Sequence, residues 1–184
     1  MPFDFSHIDQ DWNLFLDRDG VINVEKNEDY IRNWSEFEFY PESLKALPLL
    51  AKKFPRIIIT TNQKGVGKGL MTEESLIEIH NNMRHQIEIV NGRIDHILYC
   101  NDLDNDSPNR KPQPGMAFQA TALYPAIQLN KSIMVGNRMS DMLFGRNAGM
   151  HTVFLATTHP ETSFPDPSID DRFENLFEFA ISLK

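Results

Sequence analysis

A single cysteine in 184 residues, Cys100, excludes an internal disulfide and a cysteine cluster for zinc. No apolar run approaches the roughly 18 residues that a membrane-spanning helix needs. The opening stretch, MPFDFSHIDQDW, lacks the basic-then-apolar order of a secretory leader. The expectation is a cytoplasmic chain with no membrane partner. Positive charge is also short: 18 Lys and Arg against 26 Asp and Glu leave a net charge of −8 at pH 7. That balance argues against nucleic acid or acidic membranes as partners. It leaves a small phosphorylated metabolite open, because the charge of a pocket departs from the total. No repeat, low-complexity tract or Gly/Ser linker divides the chain, so residues 1–184 read as one domain, expected to be a monomer.

Short apolar runs recur at 12–17, 56–61, 93–100, 132–136 and 151–156. Each is of strand length, and none alternates cleanly, which suits a parallel sheet buried on both faces. Helical patterns fall between them. In 41–54, Leu44, Leu47, Leu50 and Ala51 share a face; in 72–90, Leu76, Ile79, Met83, Ile87 and Val90 do so, behind Thr72 as N-cap. Further helices are expected over 114–124, over 140–148 (closed by Gly149) and over 169–183, the last with Phe173, Leu176, Phe177 and Ala180 on one side. Strands alternating with helices imply a three-layer α/β/α, Rossmann-like domain with a parallel sheet. Ligands of such sheets bind beyond the carboxyl ends of the strands.

Four stretches place polar chemistry at those ends. In LFLDRDG, Asp17 and Asp19 put two carboxylates at one mouth; their repulsion invites a hard cation such as Mg²⁺. Read alone, the stretch is equally an acidic turn. In IIITTNQKGVGKG, Thr61 and Asn62 close a strand with groups that hydrogen-bond anionic oxygens. Three of the chain's nine glycines follow within 65–69, but Lys68 is followed by Gly69, where a phosphate loop needs Ser or Thr. In NRKPQPG, Arg110 and Lys111 precede a stiffening proline; a lysine held near paired carboxylates neutralises charge and holds phosphate, though a Lys-Pro pair alone is ordinarily a solvated turn. In MVGNRMSD, Asn137 follows Gly136 and Asp141 lies four residues on, an arrangement that helix capping also explains. His80 and His85 read as packing or surface residues of their helix.

In this order the four pieces resemble the haloacid dehalogenase superfamily of phosphohydrolases, over residues 12 to 156. LFLDRDGVINVE, DYIRNWSEFEFYPE, TNQKGVGKGLMTEE and RKPQPGM are similar to its heptose-bisphosphate and histidinol-phosphate phosphatase branch. The resemblance implies a capless or minimally capped, Mg²⁺-dependent phosphomonoester hydrolase. Asp17 would form an aspartyl-phosphate, and Asp19 would act as general acid and base. Thr61 and Asn62 would hold the phosphoryl oxygens, Lys111 would neutralise charge, and Arg110 and Lys68 would reach toward substrate. The metal would be held by Asp17, the backbone carbonyl of Asp19, Asn137 and Asp141, the last directly or through water. A D-glycero-D-manno-heptose 1,7-bisphosphate-type sugar is the favoured substrate and histidinol phosphate the alternative. A catalytically weakened phosphometabolite-binding protein is the alternative from another class.

Two positions depart from the branch. Its zinc loop would fall on Cys100, Asp102, Ser107 and Asn109, one metal-binding cysteine of four positions, so no zinc is expected and the loop must be held by turns and hydrogen bonds. The metal-ligating Asp after Gly136 is Asn137 here, which keeps an oxygen but brings no charge.

Overall fold

The computed structural model describes residues 4–183; the two ends of the expected 1–184 domain lie outside the described residues. Six strands form one sheet: β1 (Asn13–Leu16), β2 (Ile57–Asn62), β3 (His96–Cys100), β4 (Ser132–Gly136), β5 (His151–Leu155) and β6 (Asp171–Phe173). Their order is β3-β2-β1-β4-β5-β6, and every pairing is parallel. The helices are α1 (Pro41–Lys53), α2 (Lys64–Gly67), α3 (Glu73–Ile89), α4 (Gly115–Leu123), α5 (Met139–Ala148) and α6 (Leu176–Ser182).

The uniform apolarity of the strands follows from what covers them. Leu14, Leu16, Ile57, Ile59, Ile133 and Val135 point to the face that carries α1, α3 and α6. Phe15, Ile58 and Met134 point to the face that carries α4 and α5. Successive strand side chains alternate between faces, and both faces here are dry. Each fully buried Leu, Ile or Phe contributes about 1.5–3 kcal/mol relative to exposure, so neither face tolerates a polar side chain at low cost.

Local signals close the helices where expected. Pro41 opens α1, Thr72 Oγ1 accepts from the Ser75 amide to cap α3, and Gly149, at φ +80°, ends α5 in the left-handed conformation. On α1 the fully buried positions are Ser43, Ala46, Leu47 and Leu50, with Leu44 and Ala51 half-buried. One expected element is corrected. Residues 169–183 are not a single helix: Asp171–Phe173 adds β6 to the edge of β5, and α6 begins only at Leu176. Asn175 is extended at φ −156°, and its side chain accepts from the Phe177 and Glu178 amides, which sets the helix start. Phe173 keeps its place against Phe5 and Phe179, at 6.0 and 5.7 Å, so its apolarity serves a strand.

From β1 the chain steps to β2 and β3 on one side, then crosses to β4 and β5 on the other. The reversal between β1 and β4 opens a crevice at their carboxyl ends. Asp17 leaves β1 there, its amide still bonded to the Val135 carbonyl of β4 at 3.0 Å.

Candidate active site

The crevice is a cleft of about 390 Å³ whose floor carries Asp17, Asp19, Thr61, Lys111 and Asp141. Lys111 is 3% exposed. Its ammonium reaches Asp17 Oδ1 at 2.9 Å, Asp141 Oδ1 at 2.7 Å and the Thr60 carbonyl at 2.8 Å. Three acceptors use its three donors, so Lys111 is fixed in space. Burial works to lower its pKa, but Asp141 and Asp17 hold it above the ordinary lysine value. For Asp17, burial and then the Asp141 carboxylate prevail over Lys111 and push the group up to about 7. Two carboxylates thus share one buried cation.

Asn62 explains how Lys111 arrives. Its side-chain amide donates to the Lys111 carbonyl at 3.1 Å and accepts from the Lys111 amide at 3.0 Å, tying the end of β2 to the 101–111 loop. Neighbouring Thr61 accepts from Gln63 Nε2 at 2.9 Å. Its own hydroxyl hydrogen has no acceptor in that pair and is available to a ligand oxygen.

Asp19 stands in different company. Arg18 Nη2 donates to both its oxygens at 2.9 and 3.0 Å, Asn23 Nδ2 donates at 2.9 Å and Gln63 Nε2 at 2.8 Å. Burial alone would raise its pKa; Arg18, Asn23 and Gln63 outweigh that and lower it. Arg18 is itself fully buried, with its guanidinium 6.0 Å from the Phe37 ring and Nη1 at 3.2 Å from His80 Nε2. Sequence reasoning gives no site role to Arg18, Asn23 or Gln63 and reads His80 as a packing or surface residue of its helix. The signals were an arginine between two aspartates and a glutamine ending the Thr-Thr-Asn-Gln run.

A hard dication suits the donors that remain. Both hydrogens of Asn137 Nδ2 are engaged, by Glu25 Oε2 at 3.0 Å and Thr158 Oγ1 at 2.7 Å. That sets the orientation of the amide and leaves Oδ1 buried with no hydrogen-bond partner among the described residues. The amide packs against Gly20, directly after Asp19; a Cβ at Gly20 would fall 2.0 Å from Nδ2, and φ of +84° there also calls for glycine. An orphaned amide oxygen beside excess carboxylate charge is oxygen-donor chemistry fit for Mg²⁺. Among the described residues no three His, Cys, Asp or Glu side chains converge as a metal-binding group. Backbone and amide oxygens must therefore complete any shell. Asp141 has little left to give: Oδ1 faces Lys111, and Oδ2 accepts from the Asn137 and Arg138 amides at 3.2 and 3.0 Å, the capping arrangement at the start of α5.

The rim divides by charge. Residues 25–31 bring Glu25, Glu28 and Asp29, whereas the start of α2 brings Lys64 and the loop after β3 brings Arg110. Arg138 pairs with Glu25, and Lys26 with Glu36 at 2.8 Å. Among the described residues Lys64 and Arg110 make no ion pair; Lys64 Nζ donates to the neutral Asn105 side chain at 2.7 Å, and Arg110 Nη1 is buried without a partner. Lys68, expected to reach toward substrate, is exposed and lies over the Tyr30 ring at 5.2 Å, outside the cleft lining. In the 101–110 loop, Asp102 Oδ2 accepts from Cys100 Sγ at 3.5 Å and from the Ser107 hydroxyl. Asn109 Oδ1 accepts from Gln119 at 2.8 Å.

Comparison with known proteins gives the family. A HAD-hydrolase-like family model matches residues 108–163. The chain is 34% identical over 173 residues to a D-glycero-alpha-D-manno-heptose-1,7-bisphosphate 7-phosphatase of Mycobacterium tuberculosis, covering 94% of this chain and 91% of that protein. It is 32% identical over 157 residues to a D-glycero-beta-D-manno-heptose-1,7-bisphosphate 7-phosphatase of Pasteurella multocida, covering 81% and 84%. In structure it is similar to the D,D-heptose 1,7-bisphosphate phosphatase of B. bronchiseptica complexed with magnesium and phosphate. That match has a TM-score of 0.84 and 26% identity, and covers 94% of this chain and 97% of the other.

Proposed function

The chain belongs to the haloacid-dehalogenase-like hydrolases, in the heptose-bisphosphate phosphatase branch, and from that premise we propose that it removes one phosphate from a D-glycero-D-manno-heptose 1,7-bisphosphate. The observation that carries the reading is Lys111 held between Asp17 and Asp141 at the β1/β4 switch point, in the cleft that Thr61 also lines.

On this reading a carboxylate oxygen of Asp17 attacks phosphorus. The bond between phosphorus and the sugar oxygen breaks, and Asp19 delivers a proton to the departing oxygen. Arg18, Asn23 and Gln63 keep Asp19 anionic before substrate arrives. A phosphoryl group brought alongside adds negative charge and raises the proton affinity of Asp19, which takes from solvent the proton that it then delivers. Water then attacks the aspartyl-phosphate, losing its proton to Asp19 and freeing phosphate. Lys111 and the Thr61 hydroxyl meet charge on the phosphoryl oxygens throughout. Asp17, the Asp19 carbonyl and Asn137 Oδ1 are the groups that would hold Mg²⁺, which when bound supplies further positive charge against those oxygens. Asn62 acts on this machinery through the Lys111 backbone. Lys64 and Arg110, the rim cations without acidic partners, suit the phosphate that stays on the sugar.

We read the 101–110 loop as held by the Asp102 hydrogen bonds without zinc, and the protein as a cytoplasmic monomer with no nucleic acid partner. A second reading, a phosphometabolite-binding protein with weakened turnover, rests on the missing charge at Asn137. One assay separates the two: phosphate release with Mg²⁺ from both anomers of heptose 1,7-bisphosphate, from histidinol phosphate and from other sugar phosphates, in the parent and in Asp17→Asn. The enzyme reading expects heptose bisphosphate to be turned over fastest and Asp17→Asn to lose at least about 10³-fold in kcat. Binding without turnover on every substrate supports the second reading and overturns the first.

A further inference from the structure

We propose that His80 is a positioning residue for proton transfer, acting through Arg18 on Asp19. The inference rests on the reading of Asp19 as the proton carrier and adds a residue on α3, remote in sequence from the reacting groups.

Arg18 is an unusual tenant: fully buried, wedged between the cleft floor and α3. A guanidinium has donors and no acceptor. Its Nη2 faces Asp19 at 2.9 and 3.0 Å and Gln63 Oε1 at 3.3 Å. Its Nη1 faces His80 Nε2 at 3.2 Å. Two donors cannot share that contact, so Nε2 carries the lone pair and the ring proton sits on Nδ1. His80, 6% exposed, is thereby a neutral acceptor, held in place against the Tyr99 ring at 5.8 Å.

Arg18 Nε already has no partner among the described residues. The guanidinium is oriented by its two Nη groups alone: Asp19 and Gln63 on one, His80 on the other. Removing the acceptor at position 80 leaves Nη1 unpaired in a dry site, where an unpaired donor is costly. The guanidinium then turns to find another acceptor, and Asp19 loses its forked contact. A carboxyl group that must meet a departing oxygen at hydrogen-bond distance tolerates little displacement. Lys111, which meets the substrate phosphate, keeps its place, because Asp17, Asp141 and the Thr60 carbonyl hold its ammonium and none of them touches the Arg18 guanidinium.

The test compares the parent with His80→Leu, which removes the acceptor, and His80→Gln, whose Oε1 replaces Nε2. Each is assayed on the sugar phosphate that the parent hydrolyses fastest and on p-nitrophenyl phosphate, whose leaving group departs without a proton. We expect His80→Leu to lose about tenfold or more in kcat/KM on the sugar phosphate with KM within about twofold, a loss under about threefold in kcat/KM on p-nitrophenyl phosphate, since kcat/KM excludes the later attack of water that both substrates share, and recovery in His80→Gln. Equal losses on both substrates, parental kcat/KM in His80→Leu, or no recovery in His80→Gln overturns the proposal. If His80→Leu does not fold, His80→Asn, too short to reach Nη1, takes its place. A parent that hydrolyses no phosphomonoester overturns the functional reading and this inference together; an active parent with an unaffected variant overturns this inference alone.

Discussion

Asp17 and Asp19 are two residues apart and leave β1 into opposite surroundings. Asp17 faces a second carboxylate, Asp141, across one lysine, and burial with that repulsion pushes it up to about 7. Asp19 faces an arginine and two side-chain amides, which hold it below the ordinary value despite its burial. The first region has an excess of negative charge and, at Asn137, a buried oxygen without a hydrogen-bond partner among the described residues, which is the setting the proposed cation and phosphoryl group require. In the second, charge is balanced: Arg18 answers Asp19, and His80 and Gln63 accept from the Nη groups of Arg18. Identical side chains thereby shift in opposite directions because of their neighbours alone.

The sharpest way to break this contrast is to remove the one cation of the unbalanced region. Lys111→Ala leaves Asp17 and Asp141 buried with no counter-charge. Loss of one partner from a buried pair costs about 3–5 kcal/mol, read as a lower midpoint in urea unfolding. Phosphate release should fall by at least about 10²-fold. A variant as stable and as active as the parent would show that Lys111 is not what holds the two carboxylates together.

Acid titration probes the balanced region. Burial, and then Arg18, lower the pKa of His80 from 6.5 to about 3. The unfolded chain therefore takes up a proton near pH 6.5 that the native state refuses until about pH 3. The stability that depends on neutral His80 is intact above pH 6.5 and is lost as pH falls toward 3, on the order of 2–4 kcal/mol. Unfolding midpoints measured from pH 7 to pH 4 should fall less steeply in His80→Gln than in the parent. Parallel curves would remove His80 as the titrating group.

The smallest effect is expected at Asn137→Asp. The added charge favours Mg²⁺, but the substitution forfeits the donations to Glu25 and Thr158 and places a carboxylate beside Glu25. Mg²⁺ affinity by calorimetry should rise by less than about tenfold. An unchanged or weaker affinity would exclude Asn137 Oδ1 as a direct ligand.

Local pattern carried much of the reading. Dry strands appear as unbroken apolar runs, and Thr72, Gly149 and the proline-led α1 mark helix ends within a few residues. Asp17, Thr61 and Lys111 were legible because each follows or flanks a recognisable strand or proline. The 169–183 stretch misled because Phe173, Leu176, Phe177 and Ala180 satisfy helical spacing. Pairing with the exposed edge of β5 outweighed that periodicity over three residues. The sequence could not place Lys68 for a related reason: a lysine in a glycine-rich turn has no direction until the turn is folded, and this one lies over Tyr30, a residue of the cleft lining.

By itself the amino-acid sequence determined the parallel α/β sheet, the end of the sheet where chemistry gathers and the kinds of group assembled there. Those properties depend on hydrophobic period and on residues close together in the chain. Only the tertiary structure decided which aspartate is repelled and which is clamped, that Asn62 serves the Lys111 backbone, that Asp141 faces Lys111, and that His80 must be a neutral acceptor. Each of these rests on a contact between residues tens of positions apart, and electrostatics in a buried site depends on the distance between groups in space, which local sequence does not contain.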